Sequence, residues 1–167
     1  MITEKDFDYF LKTGFIEGLN SETSLNLIIE RFGNDYWTVK ETENNGLTYG
    51  VIMIGMTELH IYNEKLNGIS FKPYAFDKTE FNGQKEPWIS EKTKLEEITI
   101  ELNKRKVQFQ KYNVTGPKTE FKTAGVELHS LENGKHTFID TEGGVTFLFD
   151  SENESYQVCK YYNKKLT

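Results

Sequence analysis

Disulfides are closed to this chain, because it holds one cysteine, Cys159, and hence no internal partner for it. Histidine is scarce too: His60, His129 and His136, even with that thiol, offer too few soft ligands for a structural zinc site. A fold held by packing alone is expected, with no metal and no cofactor. No apolar run approaches the roughly 18 residues that a membrane span needs. The opening MITEKDFDYF carries acidic groups where a secretory signal has a basic and then an apolar stretch. Both absences point to the cytoplasm and away from a membrane partner. Basic residues are the minority, 20 against 26 acidic, for a net charge of −6. That balance argues against nucleic acid as a partner, whose readers are basic, and leaves either a basic partner or plain solubility. A phosphate loop is missing as well: Gly14, Gly18, Gly33 and Gly46 fall in separate turns, and no strand runs into a glycine-rich helix start.

What the chain has in quantity is aromatic residues, 12 Phe and 9 Tyr among 167. Such a composition favours strands and excludes wholesale disorder, and the length suits one domain that buries about two-thirds of its unfolded surface. The most informative stretch is LTYGVIMIGMTELHIYNEKLNGISFKP, residues 47–73, which reads as consecutive strands broken at Gly50, Gly55 and Asn67-Gly68. Leu59 and Ile61 alternate with Glu58, His60 and Tyr62, and Ile69 and Phe71 with Ser70 and Lys72, as in strands with one buried face. Asn67-Gly68 between them predicts the hairpin turn, since both residues tolerate positive φ.

Helices flank this sheet. Thr3 as N-cap, acidic residues in the first turn and Phe7, Phe10 and Leu11 on one stripe predict a helix over 2–11, stopped by Gly14. Ser21 predicts the cap of a second, in which Leu25, Ile28, Ile29 and Phe32 share a face and Gly33-Asn34 forms a left-handed stop. A short strand is expected over 36–40. Residues 74–90 read as an irregular crossing segment anchored by Phe76, Phe81, Trp88 and Ile89. Thr93-Lys94-Leu95-Glu96 matches a capping box, and Leu95, Ile98 and Leu102 mark a third helix to about 105–107. A polar link through Gly116-Pro117 then leads to strands over 120–123, 126–130, 137–140, 145–149 and 156–162.

The fold class is therefore α+β, with antiparallel sheet and three helices in a single domain, 1–167. The order helix, link, strands occurs twice, which suggests halves 1–90 and 91–167 as divergent repeats with Gly50-Val51 opposite Gly144-Val145. Two small sheets that face or flank one another, and one sheet with helices on one face, both satisfy the pattern.

Catalytic constellations are hard to find. Cys159 sits in an alternating strand, where a lone cysteine packs more often than it reacts. His60 and His129 read as residues of exposed strand faces, and His136 lies beside a turn. Glu96-Glu97 and Glu152 with Glu154 are most simply solvated, and Tyr156, Tyr161 and Tyr162 among Lys160, Lys164 and Lys165 are most simply a half-buried C-terminal strand.

With Gly46 to Gly50, GLTYG, preceded by Glu30-Arg31-Phe32-Gly33 and followed by strands that end in Gly68-Ile69-Ser70-Phe71, the chain resembles small bacterial immunity proteins. These are the cytoplasmic antidotes of polymorphic and contact-dependent growth inhibition toxin systems. Thr123-Ala124-Gly125-Val126 and Gly144 to Phe149 fit the same style. The resemblance implies a non-enzymatic binder that occludes the C-terminal domain of a cognate toxin, with acidic residues meeting a basic surface. Candidate contacts, taken from predicted loops and outward strand faces, are Glu41, Glu43, Tyr49, Glu58, Tyr62, Glu142, Asp150, Glu152 and Glu154. Two alternatives stand beside it: a small-ligand module with an aromatic-lined pocket, and an enzyme with its site between the halves. An edge strand open to pairing leaves monomer and dimer equally expected.

Overall fold

The computed structural model describes residues 2–33, 38–42, 48–71, 88–90, 92–116, 121–123, 126–128, 134–149 and 156–162, with backbone alone at 38–42, 48–49, 116, 121–123, 126–128, 134, 156–157 and 161. Helix α1 is Glu4–Thr13 and begins at a reciprocal cap: Asp6 N donates to Thr3 Oγ1 (3.3 Å) and Thr3 N to Asp6 Oδ2 (2.9 Å). Gly14, at φ 77°, ends it as expected. Helix α2 is Leu25–Phe32, capped by Ser24 rather than Ser21. The reason is the preceding turn, where Asn20 N donates to Thr23 Oγ1 (2.9 Å) and Thr23 N to Asn20 O (3.0 Å), so that residues 21–23 are already committed. Gly33 closes α2 at φ 87°, ψ 174°, a positive φ outside the left-handed helical region that was expected.

Strands β1 (Thr38–Thr42), β2 (Thr48–Ile54), β3 (Thr57–Tyr62) and β4 (Lys65–Phe71) follow as an antiparallel meander. The β3–β4 turn is Asn63-Glu64, with φ 47° and 62°, the double positive φ of the tight turn that matches strand twist. Asn67-Gly68, expected to be that turn, instead lies inside β4 where the register shifts opposite His60 and Ile61. A bulge absorbs the flexible pair, and β4 starts four residues earlier than a turn there would allow. Gly50 likewise sits within β2, paired with Lys40 and Ile61, whereas Gly55 (φ 60°) does mark a turn.

Helix α3, Leu95–Lys104, is capped by Lys94, whose N donates to Glu97 Oε2 (2.8 Å); Thr93 Oγ1 serves Ser90 N instead (2.8 Å). After it come β5 (Phe109–Gly116), a two-stranded ribbon of β6 (Phe121–Thr123) and β7 (Val126–Leu128), then β8 (Gly134–Thr141), β9 (Thr146–Phe149) and β10 (Tyr156–Tyr161). Residues 109–116 are a full edge strand along β8, not the polar link expected.

The main sheet has eight strands in the order β1-β2-β3-β4-β10-β9-β8-β5, antiparallel at every pairing. Two four-strand meanders thus flank one another edge to edge and share the β4–β10 seam, with helices leading each. In this order the β8–β9 turn that contains Gly144 corresponds to the β2–β3 turn at Gly55, not to Gly50. One sheet face meets all three helices in a single core that includes Phe7, Phe10, Ile28, Leu59, Phe71, Ile98, Phe147 and Val158. Phe71 is gripped by Phe7 (ring centroids 4.7 Å) and Phe10 (5.3 Å), and burial of each such ring contributes about 2 to 3 kcal/mol. Trp88 and Ile89 join this core as expected, while Phe76 and Phe81 lie outside the described residues. A second, smaller cluster of Val114 and Phe138 with Tyr112 and Leu148 occupies the opposite face.

Arg105, just past α3, ties it to α1. Its Nη1 meets Asp8 Oδ2 at 2.6 Å, Nη2 meets Glu4 Oε1 at 2.7 Å and Nε meets Glu101 Oε2 at 3.2 Å, with the guanidinium 5.2 Å above the Trp88 ring. Among the described residues no helix is long and apolar enough to cross a membrane.

Candidate functional site

Antiparallel pairing places directly opposed residues on one sheet face, and the observed registers align a polar row across seven strands. It runs Met53, Glu58, Ser70, Cys159, Thr146, Asp140, Gln110, from β2 through the seam to β5. Its centre is deeply buried: Ser70 is 0% exposed, Thr146 1%, Cys159 6% and Glu58 7%. Glu58 was expected on an outward strand face and is corrected here. Strand β3 is buried on both faces, Leu59 and Ile61 against the helices and Glu58 and His60 on the opposite side. An alternation of apolar and polar residues therefore did not mean an alternation of inside and outside.

The hydroxyls and carboxylates of the row meet one another. Ser70 Oγ donates to Glu58 Oε2 (2.9 Å) and lies 3.0 Å from His60 Nε2. A hydroxyl has one proton; with that proton on Glu58, His60 Nε2 is the donor toward Ser70 and not its base. His60 Nε2 is also 3.5 Å from Glu58 Oε2, closing a triangle. Across the seam, Asp140 accepts from Thr146 Oγ1 (2.6 Å) and from Tyr112 Oη (2.8 Å). Between these two knots sits the Cys159 thiol, whose pKa is pushed up to about 12 by burial and, secondarily, by the Asp140 charge. At neutral pH it stays protonated and is a poor nucleophile. His136, buried beside the same face, donates Nδ1–H to the Phe149 carbonyl (3.3 Å). Neither histidine is on an exposed strand face; His129 lies outside the described residues.

The candidate contacts distribute as follows. Glu41 is opposite Tyr49 and Tyr49 opposite Tyr62, so three of them form one row over β1, β2 and β3. Glu142 is exposed in the β8–β9 turn, where its Oε1 accepts from Gln108 N (3.2 Å). Strand directions put this turn, the β3–β4 turn and the Glu41–Tyr49–Tyr62 row at the same end of the sheet. Glu43, Asp150, Glu152 and Glu154 lie outside the described residues.

That end is stitched to the helices. Gly143 N donates to Leu11 O (3.3 Å), Tyr162 Oη to Gly14 O (2.8 Å) and Lys160 Nζ to Gly143 O (3.1 Å). Burial lowers the Lys160 pKa, an effect that the Asp140 charge opposes. A side chain at Gly143 would put its Cβ 2.5 Å from Gly14 N and 2.8 Å from Leu11 O, so the two glycines permit this contact. Among the described residues no cluster of three His, Cys, Asp or Glu side chains is arranged to hold a metal ion.

Sequence reasoning missed Ser70, Thr146, Asp140 and Tyr112 as a set. No spacing along the chain links them; they meet only through strand register. Comparison of the chain with family models, with curated proteins and with solved structures finds no match.

Proposed function

We propose that this chain is a non-enzymatic immunity protein of the cytoplasm that binds and neutralises the C-terminal domain of a cognate bacterial toxin. The observation that carries this reading is the closed polar row: its hydroxyls and carboxylates satisfy one another, and its thiol is held protonated. Groups bound this way brace a rigid sheet and leave no poised nucleophile or base. Surface chemistry is consistent with a basic protein partner, since the chain is net acidic and Glu142 is exposed at the same end of the sheet as the row that contains Tyr49 and Tyr62.

The test is to find whether a neighbouring gene encodes a large secreted toxin and to co-express this chain with that toxin's C-terminal domain. Protection of the host cell, together with a purified one-to-one complex, is the expected result. A toxin that kills equally with and without this chain refutes the assignment. An enzyme with its site between the halves is the second reading, because two carboxylates, Glu58 and Asp140, lie along one row that crosses the seam and His60 reaches Ser70 of that row from the next register position. It requires that Ser70→Ala abolish a turnover that the wild-type chain performs.

A further inference from the structure

The main sheet ends in β1 at one margin and in β5 at the other. We propose that β5 is the contact through which two copies of this chain pair, antiparallel and about a two-fold axis centred on Asn113. The pairing does not depend on what the chain neutralises. It also leaves the Glu41–Tyr49–Tyr62 row, which lies over β1, β2 and β3 at the opposite margin, outside the contact.

This edge suits a strand and carries little that would repel one. β5 is 8 residues long and runs beside β8 in unbroken register, from Phe109 opposite Thr141 to Gly116 opposite Gly134. Among the described strands none takes up the hydrogen-bonding groups of its other margin. Edge strands are ordinarily guarded by shortness, proline, a bulge or clustered charge. β5 has no proline, no bulge and a single charged residue, Lys111, while Gln110, Lys111, Asn113 and Thr115 are exposed. The fold already joins meanders in this manner, since β4 and β10 zip its two halves together edge to edge.

Symmetry then selects the register. A two-fold axis perpendicular to the sheet returns each face to itself, so opposed residues share a face and the axis passes through a residue, not between two. Gln110, Tyr112 and Val114 share the face away from the helices, Gln110 being opposite Asp140 of the polar row; Phe109, Lys111, Asn113 and Thr115 share the other. An axis on Lys111 would set two ammonium groups against each other. An axis on Tyr112 would leave Val114 facing Gln110. With the axis on Asn113 like meets like: Tyr112 opposes Val114 of the second copy, and Lys111 opposes its Thr115, each pair occurring twice. Tyr112 and Val114 belong with Phe138 and Leu148 to the smaller apolar cluster, where the Tyr112 and Phe138 rings stack at 5.4 Å. Pairing makes one cluster of two. At about 3.4 Å per residue, 110–116 span about 24 Å, and a contact that long and one sheet thick, about 10 Å, stays below the ~1,200 Å² of permanent interfaces. The dimer is therefore weak and reversible, held mainly by main-chain hydrogen bonds. It closes on itself, because both β5 margins are used.

Sedimentation velocity on the full chain, from micromolar to millimolar concentration, supplies the test. The wild type should pass from monomer to dimer across that range. Thr115→Lys puts a second ammonium opposite Lys111 of the other copy and should weaken the dimer about two- to thirtyfold; Thr115→Glu offers that lysine a carboxylate and should tighten it about two- to tenfold. Lys135, opposite Thr115 within each copy, is present in monomer and dimer alike and cancels. Position 115 is exposed, so both variants should fold, which circular dichroism checks. Asn113→Cys should yield a disulfide-linked dimer on mild oxidation, whereas the wild-type chain, with Cys159 buried, should not. A wild-type chain and a Thr115→Glu variant that both stay monomeric, a dimer indifferent to both changes at Thr115, or one that Asn113→Cys does not trap would each overturn the proposal. So would a monomeric chain whose β5 amides shift only when a toxin domain is added, an outcome that gives the edge to that partner instead.

Discussion

Replacing Arg105 by Met keeps most of its stem on Trp88 and removes the guanidinium that joins α1 to α3. The side chain is 16% exposed and its partners Asp8 and Glu4 are 29% and 30% exposed, so the cluster lies between surface and interior. Burial works against the charge, but the bonds from Glu4 and Asp8 outweigh it and raise the Arg105 pKa. Exposed ion pairs contribute at most about 1 kcal/mol, and orphaning a fully buried partner costs about 3 to 5. With two carboxylates half-orphaned and the ring contact worth about 0.5 to 1 kcal/mol, Arg105→Met should cost roughly 2 to 3 kcal/mol. For a chain of this size that is about 5 to 10 °C in Tm. Thermal and urea unfolding followed by circular dichroism supply the measurement. Arg105→Lys should recover less than half, because an ammonium lacks the fork that engages Asp8, Glu4 and Glu101 together. The Asp8→Asn double-mutant cycle should give a coupling above about 0.5 kcal/mol. A loss below about 0.5 kcal/mol for Arg105→Met, a spread typical of plain surface changes, would refute the clasp.

Other outcomes follow from the same packing. Cys159 should ignore a thiol reagent in the native state and react at once in urea. Its folded pKa is raised to about 12 from 9.0, so the folded form holds the extra proton; stability is unaffected below pH 9 and is lost progressively as pH rises from 9 toward 12, which Cys159→Ala should abolish. Ser70→Ala removes the hydroxyl between Glu58 and His60 and should cost about 1 to 3 kcal/mol in urea unfolding. If the chain is a binder, cell protection by Ser70→Ala at permissive temperature should match wild type; a loss of protection without a loss of stability would favour the enzyme. Gly143→Ala should be markedly more damaging than Gly33→Ala. The first drives a Cβ into backbone atoms of α1, the second meets open space and has only its positive φ to oppose it, about 1 to 2 kcal/mol.

Helix chemistry was the most legible part of the sequence. The Thr3 side chain and the positive φ open to Gly14 bound α1, because capping is settled within four residues. Ser21 failed as a cap since Thr23 and Asn20 bond to one another first, a competition that periodicity does not register. Strand β5 was hidden by its position at the sheet edge, where Gln110, Lys111, Asn113 and Thr115 are exposed and only Val114 is buried. Asn67-Gly68 carries a strong local turn signal, yet β4 pairs on both sides and tolerates it as a bulge. Glu58 and His60 misled for a related reason. Their polarity suggests solvent, but the second face of the sheet is itself buried there, and each found a partner two strands' register would be needed to foresee. The proposed contact surface rests on acidic residues and tyrosines near turns, of which Glu43, Asp150, Glu152 and Glu154 lie outside the described residues.

The seam has a consequence for how this protein is born. Strand β4 pairs with β10, the last described strand to leave the ribosome, so the N-terminal meander waits with its inner margin unzipped. At about 5 to 20 residues per second, the chain between Phe71 and Tyr156 takes roughly 4 to 17 s to emerge. Throughout that interval a nascent polypeptide offers a ready template to any neighbouring copy on the same message, and chaperone capture at this stage, or a slower codon run late in the gene, should govern how much of it survives to maturity.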